Sequence, residues 1–459
     1  MDRRDFVRTA AVTAASSGPF LGRILGANDR ILAGQIGAGG RGTYEMQVSK
    51  RLSGVQTVAV ADVYPPLVNK AVDLLGHGAK GYKDFRDILD RKDIDVVFVS
   101  TPDHWHAPAS ILAMQAGKDV YCEKPLTHNI REGQVLVKIA RRQDRVFQTG
   151  SQQRSAPHFQ KIVQLIRSGH IGKVSLIDCW NTQNMSPRGY GNPPDSDPPT
   201  GLDWDLFLGP APKVSYNRNR YHFNYRWFWD YSGGMMTDWG AHHIDVVHWA
   251  MDVNAPTAAI ACGGKFCSED NTETPDTLTT LFEYPGFIAR YSLRNGNARQ
   301  VESRPYGMSF HGTKGTLVVD RSGYEVIPEI VAENRPSDFD RLDAFLKGGE
   351  SAAYTGFYQD NPAYAPRCEP LKETGIKMEP GVQEAHVQNF LECVRSRQRP
   401  AADVEIGHRS VSACHIGVIA YRLGRKVKWD AAKEQFISDD QAQAMTSRKY
   451  RKPWTLPEV

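Results

Sequence analysis

Residues 232–245 read Ser-Gly-Gly-Met-Met-Thr-Asp-Trp-Gly-Ala-His-His-Ile-Asp and carry the densest potential for chemistry in the chain. If the chain is helical from about Met235, Asp238 and His242 stand at i and i+4 on one face, with Asp245 at i+7. A histidine of ordinary pKa ~6.5 beside a carboxylate suits proton transfer. Gly233 and Gly234 allow the helix start to approach another segment or a ligand closely. Two other readings use the same residues: a purely structural Asp–His helix pair, and a metal site built from Asp238, His242 and Asp245. His243 and His248 read as helix-face or core histidines.

A second group lies near the start. Apolar residues 31–36 read as a strand and run into Gly37-Ala38-Gly39-Gly40-Arg41-Gly42; residues 43–52 are helix-compatible, residues 57–61 form a second apolar strand, and Asp62 ends it. Strand, G-x-G-x-x-G, helix, strand and acid, in that order, make the Rossmann dinucleotide fingerprint. Gly37 permits the tight turn, Gly39 lets the backbone approach a pyrophosphate, and Gly42 lets helix and strand pack closely. The helix start, with Gly40, supplies N–H donors for phosphate. Asp62 is placed for ribose hydroxyls and would repel a 2′-phosphate, favouring NAD over NADP, although Arg41 keeps a 2′-phosphate partner available.

The βα alternation continues with a short helix over 84–89 and a buried strand over 95–99. The loop Ser100-Thr101-Pro102-Asp103-His104-Trp105-His106 follows, at the strand end where open α/β sheets bind ligands, and a helix spans 107–116. Thr101, Pro102 and His106 are therefore candidate cofactor contacts, and Trp105 a wall. His104 and His106 lack a third ligand at metal spacing, so no metal is expected. A strand over 119–122 ends in Glu123-Lys124-Pro125.

The glycine loop, the Thr101-Pro102 turn, Glu123-Lys124-Pro125 and the G-G-x-x-x-D-x-G-x-H spacing together resemble the Gfo/Idh/MocA oxidoreductases. The resemblance implies an N-terminal Rossmann domain and an α+β domain with an open, largely antiparallel sheet that often forms the oligomer interface, hence a homodimer or homotetramer. It also implies C-terminal helices packed back at the domain junction. It makes Lys124, Asp238 and His242 the catalytic group, with Glu123 and Lys124 beside the cofactor. His242 would take a hydroxyl proton, Asp238 would orient the imidazole, and Lys124 would steady alkoxide charge. The implied reaction oxidises a ring hydroxyl of a sugar, glycoside or cyclitol on tightly bound NAD. The alternatives are an NAD-dependent glycoside hydrolase or lyase working by transient oxidation, and a non-catalytic sugar-binding protein.

The resulting division is 28–150 for the Rossmann domain, 151–380 for the substrate and oligomerisation domain, and 381–459 for C-terminal helices and a polar, peripheral tail. Strands and hairpin signals between 256 and 330 predict the antiparallel sheet. Residues 221–231 hold seven aromatics in eleven positions, interspersed with Arg, Asn and Asp, a composition suited to a polyhydroxylated ring. Arg154, Tyr225, Arg226, Trp227 and Asp245 are the candidate substrate contacts; Gln152 and Gln153 also lie where they would face the cleft.

Composition narrows the field. A net charge of +4 over 459 residues, without a basic cluster, argues against nucleic acid. No apolar run is long enough for a membrane span. Residues 1–27, with Arg3-Arg4 and Phe6 ahead of a small-residue stretch, resemble a twin-arginine (Tat) export signal. Its removal would leave a charge of +2 and a periplasmic enzyme, with the Tat machinery as a partner. Folding before export, in a reducing compartment, is compatible with seven unpaired cysteines.

Overall fold

The computed structural model describes residues 30–76, 78–332, 346–347 and 364–458. The expected export signal, 1–27, lies outside them. Six parallel strands form the first sheet: β1 (Ile31–Ile36), β2 (Val55–Ala61), β3 (Lys80–Tyr82), β4 (Val96–Val99), β5 (Asp119–Cys122) and β6 (Phe147–Thr149). Their order, β3-β2-β1-β4-β5-β6, reverses between β1 and β4 and opens a crevice at the strand ends. The β4 and β5 side chains are buried throughout, as helix-covered parallel strands require.

The second sheet begins with β7 (Val174–Thr182), β8 (Ala258–Gly264), β9 (Thr277–Tyr284) and β10 (Phe287–Arg294). It continues through β11 (Tyr306–Gly312), β12 (Gly315–Asp320) and β13 (Gly323–Pro328). After a separate pair, β14 (Ile330–Ala332) with β15 (Tyr364–Pro366), come β16 (Leu371–Thr374), β17 (Val427–Asp430) and β18 (Gln435–Phe436). The order is β16-β13-β12-β11-β7-β10-β9-β8-β17-β18, antiparallel except where β7 runs parallel to β10. This is the Rossmann sheet plus largely antiparallel sheet that the sequence implies.

Five helices bear on the crevice: α1 (Gly40–Arg51), α2 (Asp103–Gln115), α3 (Met235–Met251), α4 (Gly381–Ser396) and α5 (Val404–Leu423). Helix α2 starts four residues earlier than the loop reading of 100–106 allows, so His104, Trp105 and His106 lie on its first turn. Pro102 supplies an extended residue ahead of it and ends the strand-to-helix turn. Helix α3 is buried on nearly every side, so each of its polar side chains needs a partner. Helix α4 covers one face of the first sheet, with Phe390 against Phe98 and Tyr121. Helix α5 joins the two cores: Val411 packs in the first, and Cys414 and Ile416 in the second.

The tail is not peripheral. Trp454 meets Trp105 edge-on at 4.7 Å, Arg448 Nη2 donates to the His104 carbonyl at 2.9 Å, and Arg451 Nε donates to the Gly209 carbonyl at 2.9 Å. Its few large side chains find aromatic and carbonyl partners that the polar composition does not advertise.

Burial keeps several histidines neutral. It lowers His104, His243 and His248 to about 3 and His386 and His415 to about 4. The unfolded chain binds protons at these sites below ~6.5 and the folded chain does not, so stability falls with pH by up to ~1.4 kcal/mol per histidine per unit. Glu45, raised by burial to about 8, and Asp62 and Asp103, also raised by burial, act in the opposite sense, but three carboxyls stand against five histidines. The melting temperature should therefore drop steeply from pH 6.5 to pH 5, above the range of ordinary carboxylates. A flat profile there would contradict the buried-neutral assignment.

Candidate active site

The strand ends of the first sheet and helix α3 enclose a cleft of about 410 Å³. Gly37, Gly39, Gly40, Arg41 and Asp62 line one part of it, and Lys124, Asp238, His242 and Arg321 line another. At Gly37 φ is +90° and a Cβ would lie 2.7 Å from the Ser100 carbonyl; a Cβ on Gly42 would lie 1.9 Å from the Gly37 carbonyl. Both positions exclude side chains, as a tight turn with close helix packing requires. A Cβ on Gly39 or Gly40 would meet nothing within 4 Å, so the loop leaves open space ahead of the α1 N-terminus. Thr101 Oγ1 and Gln152 Oε1, on residues lining the cleft, are buried without hydrogen-bond partners among the described residues. Open glycine backbone, a helix start and unsatisfied polar atoms fit a dinucleotide.

Asp62 accepts from the Ala38 and Tyr64 N–H groups at 2.8 and 3.0 Å, which ties the β2 end to the glycine loop. Burial raises its pKa, against those two hydrogen bonds. Arg41 departs from the expected phosphate-facing role. Its Nη2 lies 2.9 Å from Glu45, 2.8 Å from Glu123 and 2.8 Å from Gln383 Oε1. A guanidinium shared by two buried carboxylates is not available to a 2′-phosphate, which removes the main argument for NADP. Burial pushes Glu45 up; at Glu123 burial is outweighed by Arg41 and Lys124, and the pKa falls. His106 spans two loops, with Nδ1 2.7 Å from the Pro125 carbonyl and Nε2 2.9 Å from that of Thr101.

At the other end of the cleft, Lys124 Nζ donates to Asp238 Oδ1 at 2.6 Å and to the Asp238 carbonyl at 3.2 Å. Arg226 Nε approaches the same Oδ1 at 3.3 Å. Burial would raise Asp238, but Lys124 and Arg226 outweigh it and bring the pKa down to about 2. Asp238 therefore does not orient His242, contrary to the i,i+4 reading: two cations occupy its carboxylate. The partner of His242 Nε2 is Arg321 Nη2, at 3.1 Å. Burial first, then Arg321 and Lys124, depress the His242 pKa far below its ordinary value, so the ring is neutral. Arg321 comes from the β12–β13 turn and lies over the Trp239 ring at 4.7 Å. No motif marks it in the sequence; only the hairpin position next to a glycine was visible. Trp239 sits inside the Asp–His motif and was readable, but its role was not.

Profiles of the oxidoreductase family match residues 31–151 as its NAD-binding Rossmann fold, and residues 162–262 and 322–456 as its C-terminal alpha/beta domain. The chain belongs to the Gfo/Idh/MocA oxidoreductase family. Inositol 2-dehydrogenase of Salmonella typhimurium is 30% identical over 147 residues, 32% of this chain and 44% of its own length. A glycosyl hydrolase family 109 protein of Shewanella pealeana is 25% identical over 202 residues, 38% of this chain and 44% of its own. The chain thus spans less than half the length of either relative. A solved levoglucosan dehydrogenase, in complex with NADH and levoglucosan, superposes with a TM-score of 0.62 over 87% of this chain and 99% of that one. At 19% identity that likeness is one of fold.

Within this Gfo/Idh/MocA cleft, Tyr225 and Arg226 are lining residues, and the Tyr225 hydroxyl donates to Asp103 Oδ1 at 2.8 Å. Trp227 is not: it is buried against Tyr190, stacked at 5.3 Å. Arg154 and Asp245 also lie elsewhere, as a buried pair with Nε–Oδ2 2.8 Å and Nη2–Oδ1 2.9 Å, capped by the Ser410 hydroxyl at 2.8 Å. At i+7 from Asp238, Asp245 keeps nearly the same face but stands two turns, about 10 Å, farther along the helix, where it meets Arg154 and, on α5, Ser410 instead of the cleft. Among the described residues no group of three or more His, Cys, Asp or Glu gathers at metal-holding distance. Asp245→Ala should cost about 3–5 kcal/mol in denaturant unfolding by stranding a buried guanidinium, with KM unchanged. Unaltered stability with a raised KM would return Asp245 to the substrate.

Proposed function

We propose that the protein is an exported NAD-dependent dehydrogenase that oxidises a ring hydroxyl of a sugar, glycoside or cyclitol on tightly held cofactor. The observation that carries this reading is the 2.6 Å Lys124–Asp238 contact, with neutral His242 beside it, in the same cleft as the glycine loop. NAD, held by the Gly37–Gly42 loop, Asp62, Thr101 and Glu123, supplies the hydride acceptor. Lys124, fixed by Asp238, presents an ammonium to the reacting hydroxyl and stabilises negative charge on its oxygen as the O–H bond breaks. His242 receives that proton at Nε2, the ring position that accepts from Arg321 and so carries no hydrogen. Arg226 braces Asp238 from the other side, and Tyr225, Phe223 and Trp239 restrict water.

The glycosyl hydrolase name of the Shewanella relative supports a second reading, redox-assisted glycoside cleavage. Export rests on Arg3-Arg4 and Phe6 and on seven free cysteines, which suit folding in a reducing compartment. Self-association rests on the outer face of the second sheet, where Leu176 lies opposite Ile288 and Ile260 opposite Leu281, all partly exposed.

A panel of sugars, cyclitols and aryl glycosides, followed at 340 nm and for released aglycone, separates the readings. Reduction of bound NAD without release is expected, and Lys124→Met should lower kcat by ~10²–10³. Release without net reduction selects the hydrolase, and full turnover by Lys124→Met removes the mechanism. Purified protein without NAD(H) removes tight retention. Fractionation should recover the protein from the periplasm as a dimer or larger, with R3K/R4K trapped in the cytoplasm. Unaltered export of that variant, or a monomer on sedimentation, negates the corresponding part.

A further inference from the structure

Arg321 is a cation in want of an anion. Among the described residues it makes no ion pair: its contacts are His242 Nε2 at 3.1 Å, Gln153 Oε1 at 3.5 Å and the Trp239 ring, and its Nε is buried without a partner. The carboxylates whose fields reach it are Glu379, which already accepts from Tyr44, and Asp238. At this end of the cleft Lys124 and Arg226 share Asp238, and have Glu123 and Asp103 nearby besides, whereas Arg321 has no carboxylate in contact among the described residues. Holding an uncompensated guanidinium in a largely buried place is costly, and a neutral polyol would leave that cost standing.

The same contact obstructs the base. A neutral imidazole has one nitrogen lone pair in the ring plane that can take a proton, and in His242 that lone pair is the acceptor for Arg321. A hydroxyl proton reaches Nε2 only after the guanidinium moves away. A planar carboxylate draws a guanidinium through two parallel hydrogen bonds, more strongly than an imidazole nitrogen does.

We propose that the substrate is an acidic sugar whose carboxylate is taken by Arg321, and that this capture frees His242 for proton abstraction. The inference rests on the dehydrogenase reading for its second half only; recognition of the carboxylate stands independently. The unpaired guanidinium matches a monoanion, and Trp239, whose ring it covers, lines the same cleft.

The NAD-loaded protein should be tested with hexuronates of gluco, galacto and manno configuration, the corresponding neutral hexoses and their 6-phosphates. Cofactor reduction and ligand binding, by calorimetry and Trp239 fluorescence, are read in parallel. At least one hexuronate should exceed its neutral counterpart by about 100-fold in kcat/KM. Arg321→Met should remove that preference, lowering kcat/KM for the hexuronate while raising kcat for the neutral hexose, because the base no longer carries the guanidinium. It should also move the acid limb of the pH profile upward as His242 loses a neighbouring cation. Arg321→Lys should be intermediate, and retained NAD and melting temperature report that both variants fold. Equal or better use of neutral hexoses, preference for the 6-phosphates, an equal loss on both substrates in Arg321→Met, or weakened NAD retention would each overturn the proposal. Hexuronate binding that depends on Arg321 without NAD reduction would keep the acid site and sink the dehydrogenase. Reduction by neutral sugars alone would do the reverse.

Discussion

Lys124 stands at the end of β5 in one sheet and Asp238 in the first turn of α3 beside the other, and the site exists because these two side chains meet at 2.6 Å. Each is poorly placed without its partner. The lysine would be a half-buried ammonium, and the aspartate a buried carboxylate balanced only by Arg226 and by the helix N-terminus. The contact therefore couples the two domains electrostatically at one end of the cleft. Much of the surrounding structure keeps this distance short. Helix α5 packs in both cores, and Arg154–Asp245–Ser410 ties the segment after β6 to α3 and to α5.

Beneath Lys124 lies a second ionic layer. Glu123, its chain neighbour, shares Arg41 with Glu45, and Gln383 of α4 donates to both the Glu45 carboxylate and the Tyr121 hydroxyl. Two carboxylates around one guanidinium leave one negative charge too many for a buried place. The raised pKa of Glu45 resolves this by holding a proton there, while Glu123 stays ionised beside Lys124. Because Arg41 belongs to the glycine loop and Gln383 to the C-terminal chain, this layer fixes the nucleotide loop to the strand that delivers Lys124. A structural task of this kind for Arg41 explains why its position in the loop says little about cofactor phosphates.

What the sequence conveyed follows from how local each signal is. Gly37, Gly39, Gly42 and Asp62 obey spacings set by one βαβ unit, and Asp238 and His242 by one helix, so their placement needs no knowledge of the rest of the chain. Partnership was less legible. The i,i+4 relation puts Asp238 and His242 on one face, but which group each one bonds depends on Lys124, Arg226 and Arg321, which lie 114, 12 and, from His242, 79 residues away. Trp227 looked like a substrate residue from composition and Asp245 from its i+7 position; packing against Tyr190 took the first, and two turns along α3 left the second with Arg154. The polar tail hid Trp454, whose packing against Trp105 and Arg86 helps anchor it.

Arg321 shows the same limit in its sharpest form. A hairpin turn of Asp-Arg-Ser-Gly carries no motif and reads as a solvent-exposed connection. Only the register of β12 against β13, with Asp320 opposite Gly323, sets the turn so that the guanidinium reaches back over Trp239 to His242. His242 and Arg321 thus come from different elements of the second domain, whereas Lys124 and the nucleotide loop come from the first. Such a division lets the chemistry remain constant while the turn tunes what may approach it. Exchanging one residue at that turn changes the charge facing the cleft without disturbing Lys124, Asp238 or the glycine loop.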